Sequence, residues 1–434
     1  MKSLLYLILC IFCFSYSYSQ LKPTAEVLAE KQWLKAQINI LTSNTMHGRG
    51  YVKNGKDYAS AFIQKKFKEF KLKPVNKNGS YVQAYSCPIN TFPGTMKLSL
   101  NGTELKPGED YIIDPAASGI KLENAKVEDF DVEEVKDLVD WQNALVKCDT
   151  TGATVYKFVN LDIALKNMNI KRDRIGFNLP KGAFIVPMTE KLTWSVSRDT
   201  CPSTVFYVKE TAIPRKFKTV DADVTAVLNR KVRNENVVGY IEGSLLKDSF
   251  FVFTAHYDHL GMMGDTTMFP GASDNASGVA TMLYLANYFS THVPRYSVLF
   301  IAFSGEEPGL RGSTFYVANP LIPLNKMFFL TNIDIMGDAS DGITVVNATE
   351  FPTQFQLLQD FNSKYNYVPV IKSRGKAANS DHSPFTEAGV KSFFIYSNGG
   401  KGYYHDVYDK VNEVTLNHVD GVIQLLIDFV RNYN

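Results

Sequence analysis

The sequence predicts an α/β fold: a mostly parallel central sheet covered by helices on both faces, with an inserted β-rich lobe. Three observations predict it. From about residue 236 onward, strand-like and helix-like runs alternate, the rhythm of a parallel sheet wound with crossover helices. In that region Phe250-Phe251-Val252-Phe253-Thr254 and Ser297-Val298-Leu299-Phe300-Ile301-Ala302-Phe303 show no polar alternation, as strands do when both faces are covered. Between about 96 and 235 the runs become short and are divided by charged and turn-rich stretches, which sets that part off as a lobe.

The elements follow in chain order. Lys2, the apolar run Leu4 to Phe14 and the small residues Ser17 and Ser19 read as a signal peptide, residues 1–19, cut before Gln20. The run is too short to span a bilayer, and no other stretch is long and apolar enough. The expected location is therefore secreted or periplasmic, with no membrane association after cleavage. Residues 20–95 are expected to form the N-terminal part of the main domain, with helical spacing over Ala25–Leu41 and Tyr58–Phe70 and a loop at Met46–Gly50 between them. Tyr81 to Tyr85 alternates like a strand. Residues 96–235 form the inserted lobe, with strand-like runs such as Met96–Leu100 and Ala183–Pro187; it contains no His. Residues 236–434 form the main domain. There Ala276–Phe289 reads as helical, Phe328–Ile333 and Ser392–Tyr396 as further strands, and Val414–Val430 as a closing amphipathic helix.

Bulk properties narrow the function. With 45% hydrophobic and 21% charged residues the chain is not disordered. Basic and acidic side chains number 46 and 44, a net charge of +2, which leaves no footprint for nucleic acid or an anionic membrane. Cys87, Cys148 and Cys201 remain after cleavage. Three cysteines cannot build a dense disulfide framework; a single Cys148–Cys201 bridge and free buried thiols are both open.

The chemistry lies in short strings at predicted strand ends. His256 directly follows an apolar strand, and Asp258 comes two residues later, a spacing that supplies an imidazole ligand and a carboxylate to orient it. Asp274 sits in Gly271-Ala272-Ser273-Asp274-Asn275, a loop that opens a helix, where a carboxylate can bridge two cations or simply cap the helix. Glu306 and Glu307 are adjacent after Ser304-Gly305. Two carboxylates at a buried strand end repel unless cations lie nearby or one takes a proton. Asp334 ends the next strand between Ile333 and Ile335 and needs a partner. His405 follows a Gly-rich loop, and His382 lies in Ser380-Asp381-His382-Ser383. Asp338, His47, His259, His292 and His418 are weaker candidates. Imidazole and carboxylate ligands with one spare carboxylate are what a hydrolytic metal site needs.

Ala255-His256-Tyr257-Asp258-His259-Leu260-Gly261, Gly271-Ala272-Ser273-Asp274-Asn275-Ala276-Ser277-Gly278, Phe303-Ser304-Gly305-Glu306-Glu307 and Asn332-Ile333-Asp334 resemble, in order, the signatures of the M28 family of zinc metallopeptidases. The resemblance covers residues from about 236 to 434, extends to Leu41–Arg49 and the Tyr58–Phe70 helix, and loosely suggests a protease-associated domain for the lobe. It implies a zinc aminopeptidase-like fold and two zinc ions per chain. One would be held by His256 and Asp334, the other by Glu307 and His405, with Asp274 bridging. Glu306 would be the general base, Asp258 the orienter of His256, and His382 a stabiliser of the transition state. It also implies a cis Asp274–Asn275 peptide. Three carboxylates against two divalent ions leave about one positive charge, which favours a bridging hydroxide near neutral pH.

The implied function is a secreted aminopeptidase acting on peptides. A dipeptidase, a carboxypeptidase or a glutaminyl cyclase are alternatives on the same fold, and a non-catalytic binding protein would have lost ligands that are all retained here. A nucleotide-binding reading lacks the Gly-rich phosphate loop after the first strand of the sheet.

Overall fold

The computed structural model describes residues 24–433, and the signal-peptide reading lies outside them. The main sheet has nine strands. At its centre Met327–Ile333, Leu246–His256 and Tyr296–Phe303 run parallel, and Ser392–Ser397 joins Met327–Ile333 in the same sense. Val227–Ile241 is antiparallel to Tyr296–Phe303 on one side, and Ile343–Val346 is antiparallel to Ser392–Ser397 on the other. The sheet is thus parallel in its core and antiparallel toward both flanks.

Covered faces explain the unbroken apolar strands. Phe251, Phe253 and Ala255 pack on one face with residues of the Thr24–Leu41, Gly278–Thr291 and Val419–Asn432 helices. Phe250 and Val252 point to the other face, where Tyr316 and Phe385 of the Arg311–Ala318 and His382–Glu387 helices cover them. The Gly55–Glu69 helix starts three residues earlier than the apolar spacing suggests, and the last helix starts at Val419, because Leu416 and His418 have φ of 58° and 54° and cannot continue it.

The second sheet has eight strands, all from residues 96 to 224, with its own core around Trp141, Phe158, Phe184 and Phe206. Four strands, from Ile120–Asp131 to Ser203–Lys209, are parallel, and the Leu138–Leu145 and Leu161–Met168 helices serve as connections. Val227–Ile241 runs through position 235: its first part pairs with Val82–Thr91, a branch of the main sheet, and its last part with Tyr296–Phe303. Leu260, Met263, Phe269 and Val407 of the main domain join the lobe's core. Cys87, Cys148 and Cys201 are free and buried, so of the two possibilities open in the sequence the structure has thiols and no Cys148–Cys201 bridge.

Candidate metal centre

Strand register builds the site. His256 pairs with Phe303, and Thr254 with Asn332, so three parallel strands end level. His256, the Glu306–Glu307 turn and Asp334 therefore emerge together at the carboxyl edge, where open α/β sheets carry their ligands. The turn after Phe303 is tight: Gly305 has φ 74°, and a Cβ there would lie 2.4 Å from the Tyr85 hydroxyl, which donates to the Ser304 carbonyl at 2.6 Å. Only glycine fits both conditions.

The six expected groups converge. His256 Nε2 is 3.3 Å from Asp334 Oδ1 and 3.4 Å from Asp274 Oδ1. His405 Nε2 is 3.1 Å from Asp274 Oδ2 and 3.2 Å from Glu307 Oε2. Asp274 thus stands between the two imidazoles, one oxygen facing each. Ligand atoms of His256, Glu306 and Asp334 lie within 4.8 Å of one another, as do those of His256, Asp274 and Glu307.

Tautomers follow from the other ring nitrogens. His256 Nδ1 lies 3.1 Å from the Asp258 carbonyl, and His405 Nδ1 lies 2.9 Å from the Trp194 carbonyl. A carbonyl only accepts, so each Nδ1 carries a proton, and each Nε2 lone pair, when the ring is neutral, faces the carboxylates. Such a donor set, oxygen and imidazole without thiolate, fits a divalent ion of zinc type.

Burial and like charge set the protonation. Burial pushes the Glu306 carboxyl up, His256 opposes it, and Glu307, Asp381 and Asp334 leave it well above the usual range. Burial also raises Glu307, but His405 and a hydrogen bond from His259 outweigh it and hold it at about 2. Burial disfavours protonating His256 and His405, yet the surrounding carboxylates raise both well above 6.5. Protons here do what cations can do: they neutralise a crowded set of buried carboxylates.

Asp258 behaves differently from a simple orienter. Its carboxylate lies 4.0 Å from His256 Nδ1, which is served by its main-chain carbonyl instead. The carboxylate accepts from the Tyr51 hydroxyl at 2.7 Å and from the Glu306 amide at 3.2 Å, tying the His256 loop to the Glu306 turn. His382 is fully buried against Phe394 and beside the main chain of Ala377 and Ser380; burial lowers its pKa to about 4. It makes no hydrogen bond to the six groups. The Asp274–Asn275 peptide is cis.

Sequence reasoning missed several supports. His259, ranked as weak, is fully buried and donates from Nδ1 to Glu307 Oε1 at 2.8 Å. Ser380 donates to Asp334 Oδ2 at 3.0 Å. Asn275 donates to the Ile333 carbonyl and accepts from the Ile335 amide, joining the Asp274 loop to the strand end that carries Asp334. Asp409 accepts from the Ser273 and Asp274 amides. Arg49 is fully buried and donates to the carbonyls of Leu41, Tyr257, Pro270, Gly271 and Asp274. Asp381 is buried beside the cluster, and burial raises its pKa to about 7 against the pull of His256 and a hydrogen bond from Ser313. The signal available for Arg49 was a cation inside a Gly-rich loop; the others had none beyond proximity to a motif. Asp338 is a loop carboxylate bound to the Ser340 amide, and His292 stacks on Tyr288 near the surface. A cavity of about 490 Å³ borders Asp274, Tyr404 and Asp409.

Comparison with known proteins agrees with this geometry. Residues 236–430 match the model of Peptidase family M28. A probable zinc metalloprotease of Pyricularia oryzae is 35% identical over 135 residues, 30% of this chain and 27% of that protein. Aminopeptidase YwaD of Bacillus subtilis is 27% identical over 195 residues, 42% of this chain and 41% of that protein. The matched stretches thus span less than half the length of these curated relatives. Among solved structures, BSAP, a zinc aminopeptidase from Bacillus subtilis, superposes with a TM-score of 0.66 at 18% identity over 92% of this chain and 94% of that one. A peptidase M28 precursor from Shewanella amazonensis gives 0.63 at 14%, over 93% and 95%. At such identities the likeness establishes a shared fold, and it extends through the lobe.

Proposed function

We propose that this chain, whose residues 236–430 form a peptidase family M28 domain, is an exported zinc-dependent aminopeptidase that removes residues from peptide N-termini. The observation that carries the reading is the convergence of His256, Asp274, Glu307, Asp334 and His405 on one buried cluster with Glu306 left over. In this reading His256 and Asp334 would hold one ion and Glu307 and His405 a second, with Asp274 shared between them.

A zinc pair supplies positive charge that polarises the scissile carbonyl and acidifies water. The chain's own residues do the rest. Glu306, beside His256 and Asp334 and not used as a ligand, takes the water's proton and passes it to the leaving amine. With the negative charge around it neutralised, Glu306 would shed its proton and be free to act as a base. Asp258 holds the Glu306 amide, and so sets the base's position. His382, buried and neutral, is suited to donate to the oxyanion. The cavity beside Asp274 has room for a peptide terminus. The aminopeptidase preference follows the activity by which the similar YwaD and BSAP are named.

Hydrolysis of aminoacyl-p-nitroanilides, free and N-acetylated, tests the reading. Free substrates are expected to be cleaved and acetylated ones spared, with activity lost to a chelator and restored by zinc. Cleavage of neither by protein holding two ions per chain would overturn the aminopeptidase reading in favour of another amide substrate. Export is tested by N-terminal sequencing of the secreted protein, expected to begin at Gln20.

A further inference from the structure

We propose that the inserted lobe is a working part of the metal centre: Trp194 and Lys191, on the segment after the Gly182–Met188 strand, position His405 and thereby set the affinity of the ion it would hold. The inference rests on the reading of His405 as a metal ligand.

His405 needs outside support. It lies in residues 398–410, which form no helix or strand and contain Gly399, Gly400 and Gly402. Its own φ is 54°, a conformation that a non-glycine residue keeps only when its surroundings hold it. A ligand on such a segment cannot by itself be fixed to the few tenths of an ångström that metal coordination demands.

The lobe supplies the grip. Trp194 and His405 exchange two hydrogen bonds: the Trp194 amide donates to the His405 carbonyl at 2.9 Å, and His405 Nδ1 donates to the Trp194 carbonyl at 2.9 Å. The second bond fixes ring angle and tautomer together, the usual task of a carboxylate or carbonyl behind a metal-bound imidazole. Trp194 is anchored in turn. Its indole donates to the Ile113 carbonyl at 2.9 Å and stacks on Phe269 with centroids 4.8 Å apart. Lys191 clamps the flanking chain: its ammonium lies 2.5 Å from Asp406 Oδ2, and it donates to the carbonyls of Gly402 at 3.0 Å and Tyr404 at 3.1 Å. Asp406 is buried and Lys191 exposed, so the ammonium closes over the segment from the solvent side. Val407 completes the attachment by packing into the lobe's core.

Lys191 gives a clean test because its two effects have opposite signs. Removing a positive charge near a cation site should tighten cation binding; removing a clamp on a ligand should weaken it, typically 10–100-fold. Zinc binding to the full-length chain would be titrated by competition with a chromophoric chelator for wild type, Lys191→Met, Lys191→Arg and His405→Ala. Cobalt(II) absorption would report the coordination sphere.

The expected result is two ions in wild type and one in His405→Ala. In Lys191→Met one ion should bind about tenfold more weakly, with an altered cobalt spectrum, and Lys191→Arg should restore both. Two ions bound by Lys191→Met as tightly as by wild type, or more tightly, would overturn the inference and leave the zinc reading intact. Equal stoichiometry in wild type and His405→Ala would overturn the ligand reading and this inference with it.

Discussion

Glu306 and Glu307 are neighbours in the chain, both partly buried at the cluster, and pushed in opposite directions. Glu307 is held ionised at about 2 because His405 and His259 face it, whereas Glu306 is driven up by burial and by Glu307, Asp381 and Asp334. That asymmetry suits the proposed division between a ligand, Glu307, and a proton carrier, Glu306. Glu306→Gln is expected to keep both metals and lose about 10²–10⁴-fold in kcat with little change in KM; metal analysis beside steady-state kinetics checks it. His259→Ala should strip Glu307 Oε1 of its hydrogen bond, leaving only the His405 contact, and weaken one ion about 10–100-fold, read by chelator competition. The two glutamates were legible because each stood in a motif at a strand end. His259 was not: one imidazole after His-x-Asp looks like any loop histidine until the Glu306–Glu307 turn folds over it.

At the scale of elements, the level endings of three parallel strands do most of the assembly, and these were readable from unbroken apolar runs that stop at His256, Phe303 and Ile333. The braces between loops were not readable, because they join residues far apart in sequence. Arg49 is the clearest case. Burial lowers its pKa to about 10, so it stays charged at neutral pH, and it spends its donors on five carbonyls, four of them at or beside the proposed ligands His256 and Asp274. Arg49→Met would strand those carbonyls at a cost of roughly 3–5 kcal/mol. Denaturant unfolding should show the loss, and metal affinity should fall with it, since the Tyr257 and Gly271–Asp274 segments would no longer be pinned together. Asn275 makes the analogous link from the Asp274 loop to the strand end before Asp334.

For the whole molecule, metal, protons and folding are linked. Without metal, His256 and His405 have pKa values raised well above 6.5, so each holds a proton at neutral pH. A raised folded-state pKa contributes stability that is fully present below about 6.5 and lost as pH climbs through the raised value. The chelated protein should therefore melt at lower temperature as pH rises above 6.5. Zinc must displace these protons, so its affinity should climb over the same range and its binding should release protons, measurable by calorimetry in buffers of different ionisation enthalpy. The zinc-loaded protein should melt higher than the chelated one, increasingly so with free zinc. The two-sheet layout was visible as a change of texture near residues 96 and 235, but the lobe's hold on His405 was not, since Trp194 acts through a main-chain carbonyl that no side-chain pattern betrays. The most direct test of the central claim is anomalous diffraction at the zinc edge from crystals of the zinc-loaded chain. The account predicts two peaks on either side of Asp274, one against His256 and Asp334 and the other against Glu307 and His405. Absence of zinc there, or zinc bound elsewhere with these side chains still paired to one another, would contradict it.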